Sequence, residues 1–180
     1  MNLTTVDAIA KAVLYEGYML YPYRPSSVKN QQRWNFGVLC PQSYSEAQQG
    51  SEACTMQTEC LVEGDAGTTL DIRVRFLQLV ARSVGELIQP VPELPSEGPP
   101  EFQLTPRIEV AGRIYQSWQE AIEREVIVPT WGLEALALRP VTHQFHLPAA
   151  KQYEPLRESG GPVTAILVRQ QTELQGAVEI

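Results

Sequence analysis

Cys54, Met56, Thr58, Cys60 and Val62 alternate with Thr55, Gln57, Glu59 and Leu61. After Gly64-Asp65-Ala66-Gly67 the alternation resumes: Leu70, Ile72, Val74 and Phe76 against Asp71, Arg73 and Arg75. Period two sends successive side chains to opposite faces, so each run fits a strand with one apolar and one wet face. Two such runs around a glycine-containing turn predict an antiparallel hairpin over Cys54 to Val80. Val62 then opposes Leu70 and Met56 opposes Phe76. Met56, Cys60, Ile72, Val74 and Phe76 are expected inside, with Asp71, Arg73 and Arg75 accessible.

The N-terminus carries the clearest helical period. Val6, Ile9, Ala10, Val13 and Leu14 share one face, Thr4 or Thr5 can cap it, and Gly17 and Pro22 stop it. Downstream, Arg33 to Cys40 reads as a short strand and Pro41 to Ser51 as a polar loop. Pro90, Pro92, Pro95, Pro99, Pro100 and Pro106 crowd residues 89–106. A sheet interior does not tolerate that many missing N–H donors, so a long loop is expected there. Arg107 to Tyr115, Val126 to Val128, Leu133 to Leu138, Val141 to Leu147 and Val163 to Val168 read as strands. Ser117-Trp118-Gln119-Glu120 has capping-box spacing and predicts a short helix to about Glu125, with a strand as the alternative. Leu174, Val178 and Ile180 suit a last strand, and the chain stops there without a polar tail.

No strand–helix–strand rhythm runs through the chain. The fold expected is α+β: a mainly antiparallel, sandwich-like β-sheet with the N-terminal helix packed on it. The 180 residues fit a single domain, expected to be the N-terminal part of a longer chain.

Charge narrows the partners. A net charge of -7 argues against wholesale binding to nucleic acid or an anionic membrane, both of which need a basic face. The start lacks a basic secretory n-region, and no apolar run approaches the roughly 20 residues that span a bilayer. Three cysteines without zinc spacing suit a reduced, cytoplasmic setting.

Most chemistries find no footing. On one strand Cys54 and Cys60 face the same way about 20 Å apart at roughly 3.3 Å per residue, too far to bond or share a metal; they read as small apolar core residues. His143 and His146, the two histidines, point to opposite faces of a strand bracketed by Pro140 and Pro148. No metal or other cofactor is therefore expected. There is no nucleophile elbow and no phosphate-binding glycine loop. Glu120, Glu123, Arg124 and Glu125 could hold a catalytic carboxylate, but an exposed helix face with Glu120 and Arg124 paired at i, i+4 explains them more simply.

One segment asks for another explanation. From Leu14 to Trp34 the sequence LYEGYMLYPYRPSSVKNQQRW gathers Tyr15, Tyr18, Tyr21 and Tyr23 with Arg24, Lys29, Arg33 and Trp34. Rigid aromatics beside cationic donors characterise interface hot spots. Structural tyrosines bridging helix and sheet are the plainer alternative. Tyr21, Tyr23, Arg24, Lys29, Arg33 and Trp34 are taken as the candidate partner-binding residues, with Leu14 and Tyr18 as anchors of the helix.

AVLYEGYMLYPYRPSSVKNQQRWNFGVLCP at Ala12 to Pro41, TECLVEG at Thr58 to Gly64 and SWQEAIEREV at Ser117 to Val126 carry a likeness. They resemble a family of bacterial proteins encoded beside high-affinity, actinobacterial-type nickel–iron hydrogenases. The likeness covers most of the chain in outline, and the first motif is its distinctive part. It implies a non-catalytic, cytoplasmic accessory or scaffold role in hydrogenase assembly or maturation. A protein partner follows: a hydrogenase subunit or maturation factor. No catalytic motif transfers residue by residue. The rivals are a small-ligand-binding protein or enzyme with a cleft near the tyrosines, and a metal-delivery protein using cysteine and histidine. Oligomeric state is not legible.

Overall fold

In the computed structural model the described residues are 3–15 and 37–180. Antiparallel strands dominate, with short helices, so the class is α+β and mainly β. The chain divides into two compact units, one of Met1–Asp71 with Thr130–Arg139 and one of Ile72–Pro129 with Pro140–Ile180.

In the first unit, helix α1 (Leu3–Tyr15) begins before the expected caps, so Thr4 and Thr5 lie in its first turn. The apolar stripe is present, but Val6, Ile9 and Val13 are exposed; Ala10 and Leu14 are half-buried. The burial expected for that face is not seen in those three residues. The loop expected over Pro41 to Ser51 contains a second helix, α2 (Gln42–Ala47). Buried Ser45 explains it: its hydroxyl donates to the Glu52 carbonyl at 2.6 Å, and the Cys40 N–H donates to Ala53 O at 2.8 Å. These bonds close a small knot that polarity alone does not reveal. No strand occurs over residues 37–40.

Cys54 to Val62 forms no strand, which corrects the expected hairpin. Met56 is 72% exposed, Leu61 is fully exposed, and Cys60 and Val62 are also exposed. The turn itself is real. Gly67 N–H donates to Asp65 Oδ1, Thr68 N–H to Asp65 O, and the Asp65 N–H to the Thr68 hydroxyl. Helix α3 (Leu133–Leu138) replaces an expected strand. Leu-Glu-Ala-Leu-Ala-Leu contains only strong helix formers and no β-branched residue. It ends at Arg139, held extended (φ −162, ψ 147) before Pro140.

The second unit is built on β1 (Thr69–Val91), a strand of 23 residues whose first three belong to the other unit. Its C-terminal half pairs with β2 (Phe102–Thr105) and with β8 (Val163–Gln171), which in turn pairs with β7 (Ala150–Arg157). β5 (Trp118–Gly132) also pairs with β1. The expected helix at Ser117 is therefore strand. Val126, Ile127, Val128 and Thr130 favour that state, and pairing along β1 overrides the capping signal. The proline-rich loop is shorter than residues 89–106, since β1 enters it to Val91 and β2 leaves it from Phe102.

Arg107 to Tyr115 is a hairpin rather than one strand: β3 (Arg107–Val110) and β4 (Arg113–Gln116) joined through Ala111 and Gly112, both at positive φ (51 and 72). That two-residue, left-handed turn matches the strand twist, and alanine at its first position hid it. β7 was not anticipated either; its polar run with Pro155 suits the edge position it holds. β6 (Thr142–Leu147) and β9 (Leu174–Glu179) form a two-stranded ribbon, with Phe145 opposite Gly176 and packed tilted against Phe76, 5.9 Å between centroids.

Both faces of the large sheet are covered. Val84, Val110, Leu156, Ala165 and Leu167 form one cluster with Ile108 and Tyr115. Leu87, Val163, Ile166 and Val168 form the other, with Phe102 and Tyr153. Gly85 is required there: a Cβ would sit 2.5 Å from the Phe102 ring and 3.2 Å from Ile166.

Candidate functional site

Along the sheet, inward positions change from apolar to charged. Val80 and Val84 are buried, and Arg82 lies between them on the same face. Register sets Arg82 directly opposite Arg169. Two cations so placed repel unless an anion lies between them. Glu120 of β5 supplies it: Arg82 donates to Oε1 at 2.7 Å and Arg169 to Oε2 at 2.6 Å. Arg169 also donates to Glu154 Oε2. The hydrogen bonds to Glu120 and then to Glu154 raise the Arg169 pKa further above its ordinary value, so it stays charged. Farther along β5, Arg124 donates to Gln78 Oε1 at 2.9 Å and Gln171 Oε1 at 2.7 Å.

The expected Glu120–Arg124 pair is thus replaced by bonds from each to other strands. On the opposite face Arg75 pairs with Glu123 and lies near Glu125, and is half-buried rather than accessible. With both oxygens of Glu120 engaged, the cluster acts as an electrostatic clamp across β5, β1, β8 and β7. It offers no carboxylate poised for proton transfer. Sequence inspection missed it, although Arg82 at an inward position between two valines was the signal.

The remaining candidates are dispersed. Tyr18, Tyr21, Tyr23, Arg24, Lys29, Arg33 and Trp34 lie outside the described residues. Cys40 and Cys54 are half-buried and Cys60 is exposed, all three as free thiols. Among the described residues no group of three or more histidine, cysteine or acidic side chains converges as a metal site. His143 is half-buried and His146 exposed, on opposite faces of β6 as alternation predicts. A hollow of about 160 Å³ lies between Glu109, Val110, Glu158, Gly161, Pro162 and Thr164. A shallow groove of about 580 Å³ follows the β6–β9 ribbon.

Beside that groove, Gln175 Nε2 donates to Glu173 Oε1 at 2.6 Å and His146 Nε2 lies 3.0 Å from the same oxygen. The bond from Gln175, then that from His146 and its charge, lower the Glu173 pKa from the ordinary 4.5. A depressed folded pKa contributes stability above the unfolded value, lost as pH falls through the folded midpoint. In an NMR titration Glu173 is expected to protonate below its unfolded value, and Gln175→Ala to move the midpoint upward. An unchanged midpoint in that variant would contradict the geometry.

Among the described residues no helix is long and apolar enough to cross a membrane. Comparison with protein-family models, with curated proteins and with solved structures finds no match to the chain.

Proposed function

We propose that this chain is a non-catalytic accessory or scaffold protein of the cytoplasm that serves assembly or maturation of a nickel–iron hydrogenase. The observation that carries the reading is the segment from Leu14 to Trp34, where four tyrosines and a tryptophan are gathered with Arg24, Lys29 and Arg33 inside an acidic chain. Aromatic rings give contact area at low entropic cost, and cations beside them steer an acidic surface into register. Supporting it, both carboxylate oxygens of Glu120 are engaged by arginines and the hollows are shallow, so binding explains the molecule more economically than turnover. The hydrogenase connection rests on the sequence resemblance alone. Affinity capture of the tagged protein from its native host, read by mass spectrometry, is expected to recover a hydrogenase subunit or maturation factor. Recovery of none above an untagged control would refute that assignment.

A further inference from the structure

Residues 54–62 alternate as a strand does, yet no strand among the described residues pairs with them. Among the described residues, no backbone N–H or C=O from Thr55 to Val62 takes a backbone partner. None of them has a positive φ. Gln57 Nε2 donates to Glu59 Oε1 at 2.9 Å, so side chains two apart already share a side, the period of an extended strand. Met56 (72% exposed), exposed Cys60 and Val62 (39% exposed) lie on the apolar set and keep surface open to solvent.

The order of residues says what covers that surface. We propose that Cys54–Val62 pairs with the same segment of a second copy of this chain, antiparallel about a two-fold axis through Thr58. One face then matches Cys54 with Val62, Met56 with Cys60, and Thr58 with Thr58. The other matches Thr55 with Leu61 and Gln57 with Glu59. The first face is apolar apart from a threonine pair, and such a pair is favourable across strands. Charge selects this register. Between Trp34 and Ile72 the chain has acids at Glu46, Glu52, Glu59, Glu63, Asp65 and Asp71 and no lysine or arginine. About Thr58, Glu59 meets Gln57, Glu63 meets Ala53, Glu52 meets Gly64 and Asp65 meets Ser51. Moving the axis to Glu59 sets Glu59 against itself; moving it to Gln57 sets Val62 against Glu52. A self-complementary patch is what a two-fold interface requires. A two-stranded ribbon is small, so the association is weak, at the low end of specific interfaces.

Sedimentation equilibrium of the 180-residue chain is expected to show a mass that rises with concentration. Met56→Glu, at an exposed position, raises the dissociation constant about tenfold or more without moving the melting temperature. In a background with Cys40, Cys54 and Cys60 changed to alanine, Thr58→Cys places two thiols across the axis. Thr55→Cys leaves them about 20 Å apart at roughly 3.3 Å per residue, beyond disulfide reach. With oxidised glutathione as oxidant, only the first is expected to give a covalent dimer. Wild-type protein that stays a single chain at all concentrations, a Met56→Glu variant that associates like wild type, or equal cross-linking by the two cysteine variants would overturn the proposal. The wild-type and Met56→Glu arms do not depend on folding of the cysteine-free background.

Discussion

Ile166→Ala lowers the unfolding free energy by about 2–5 kcal/mol, the range for deleting a fully buried aliphatic side chain and leaving part of its volume empty. Ile166 has 0% exposure and sits in the central part of β8, between β1 and β7. Gly85, Phe102, Val163 and Val168 surround it. A cavity there cannot be filled by collapse of a loop, because strands on both sides fix the backbone. Denaturant unfolding should move the midpoint with little change in slope. Ile127→Ala, at a position 62% exposed, should stay within about 0.5 kcal/mol of wild type. Similar costs for the two variants would contradict the burial pattern of the sheet.

Glu120→Ala has the second large expected effect, about 2–4 kcal/mol, near the cost of breaking a part-buried ion pair on one side. The alanine leaves Arg82 and Arg169 opposed across β1 and β8 with the shared anion gone. Glu120→Gln keeps hydrogen-bonding capacity but not the charge, and should fall between. Replacing Arg82 and Glu120 together by methionine removes both the anion and one cation. It should recover much of the loss, since apolar pairs of similar volume often substitute for buried ion pairs. A cost below about 0.5 kcal/mol for Glu120→Ala, the level of an exposed pair, would mean that the clamp contributes nothing to folding.

Legibility followed how local each signal was. Leu70 to Phe76 are strand as expected, but Ile72, Val74 and Phe76 are only half-buried and Arg75 equally so, so burial alternates no further than Val74. Thr142–Leu147, Val163–Gln171 and Leu174–Glu179 are strands near where β-branched residues and alternation placed them. Cys54 to Val62 alternates just as well, but alternation states what a segment can pair with, not whether a partner strand is present. At Ser117 the capping box is a local preference worth about 1 kcal/mol, and a ladder along β1 outweighs it. At Leu133 the error ran the other way: helix-forming composition was ignored in favour of apolar content. The Arg82–Glu120–Arg169–Glu154 cluster joins four strands, with partners as far apart as 49 positions in sequence. No window along the chain contains it. The six candidate partner residues from Tyr21 to Trp34 lie outside the described residues, so their grouping stands on sequence alone.

The most direct test of partner recognition is the same native-host capture repeated with Arg24→Glu and Arg33→Glu combined. Two charge reversals in this aromatic and cationic segment would turn the proposed attraction for an acidic surface into repulsion. The expected result is loss of the captured hydrogenase subunit or maturation factor with a melting temperature within a few degrees of wild type. A double variant that still captures every wild-type partner, or one that unfolds, would contradict a recognition role and return the tyrosines and cations to structural duty.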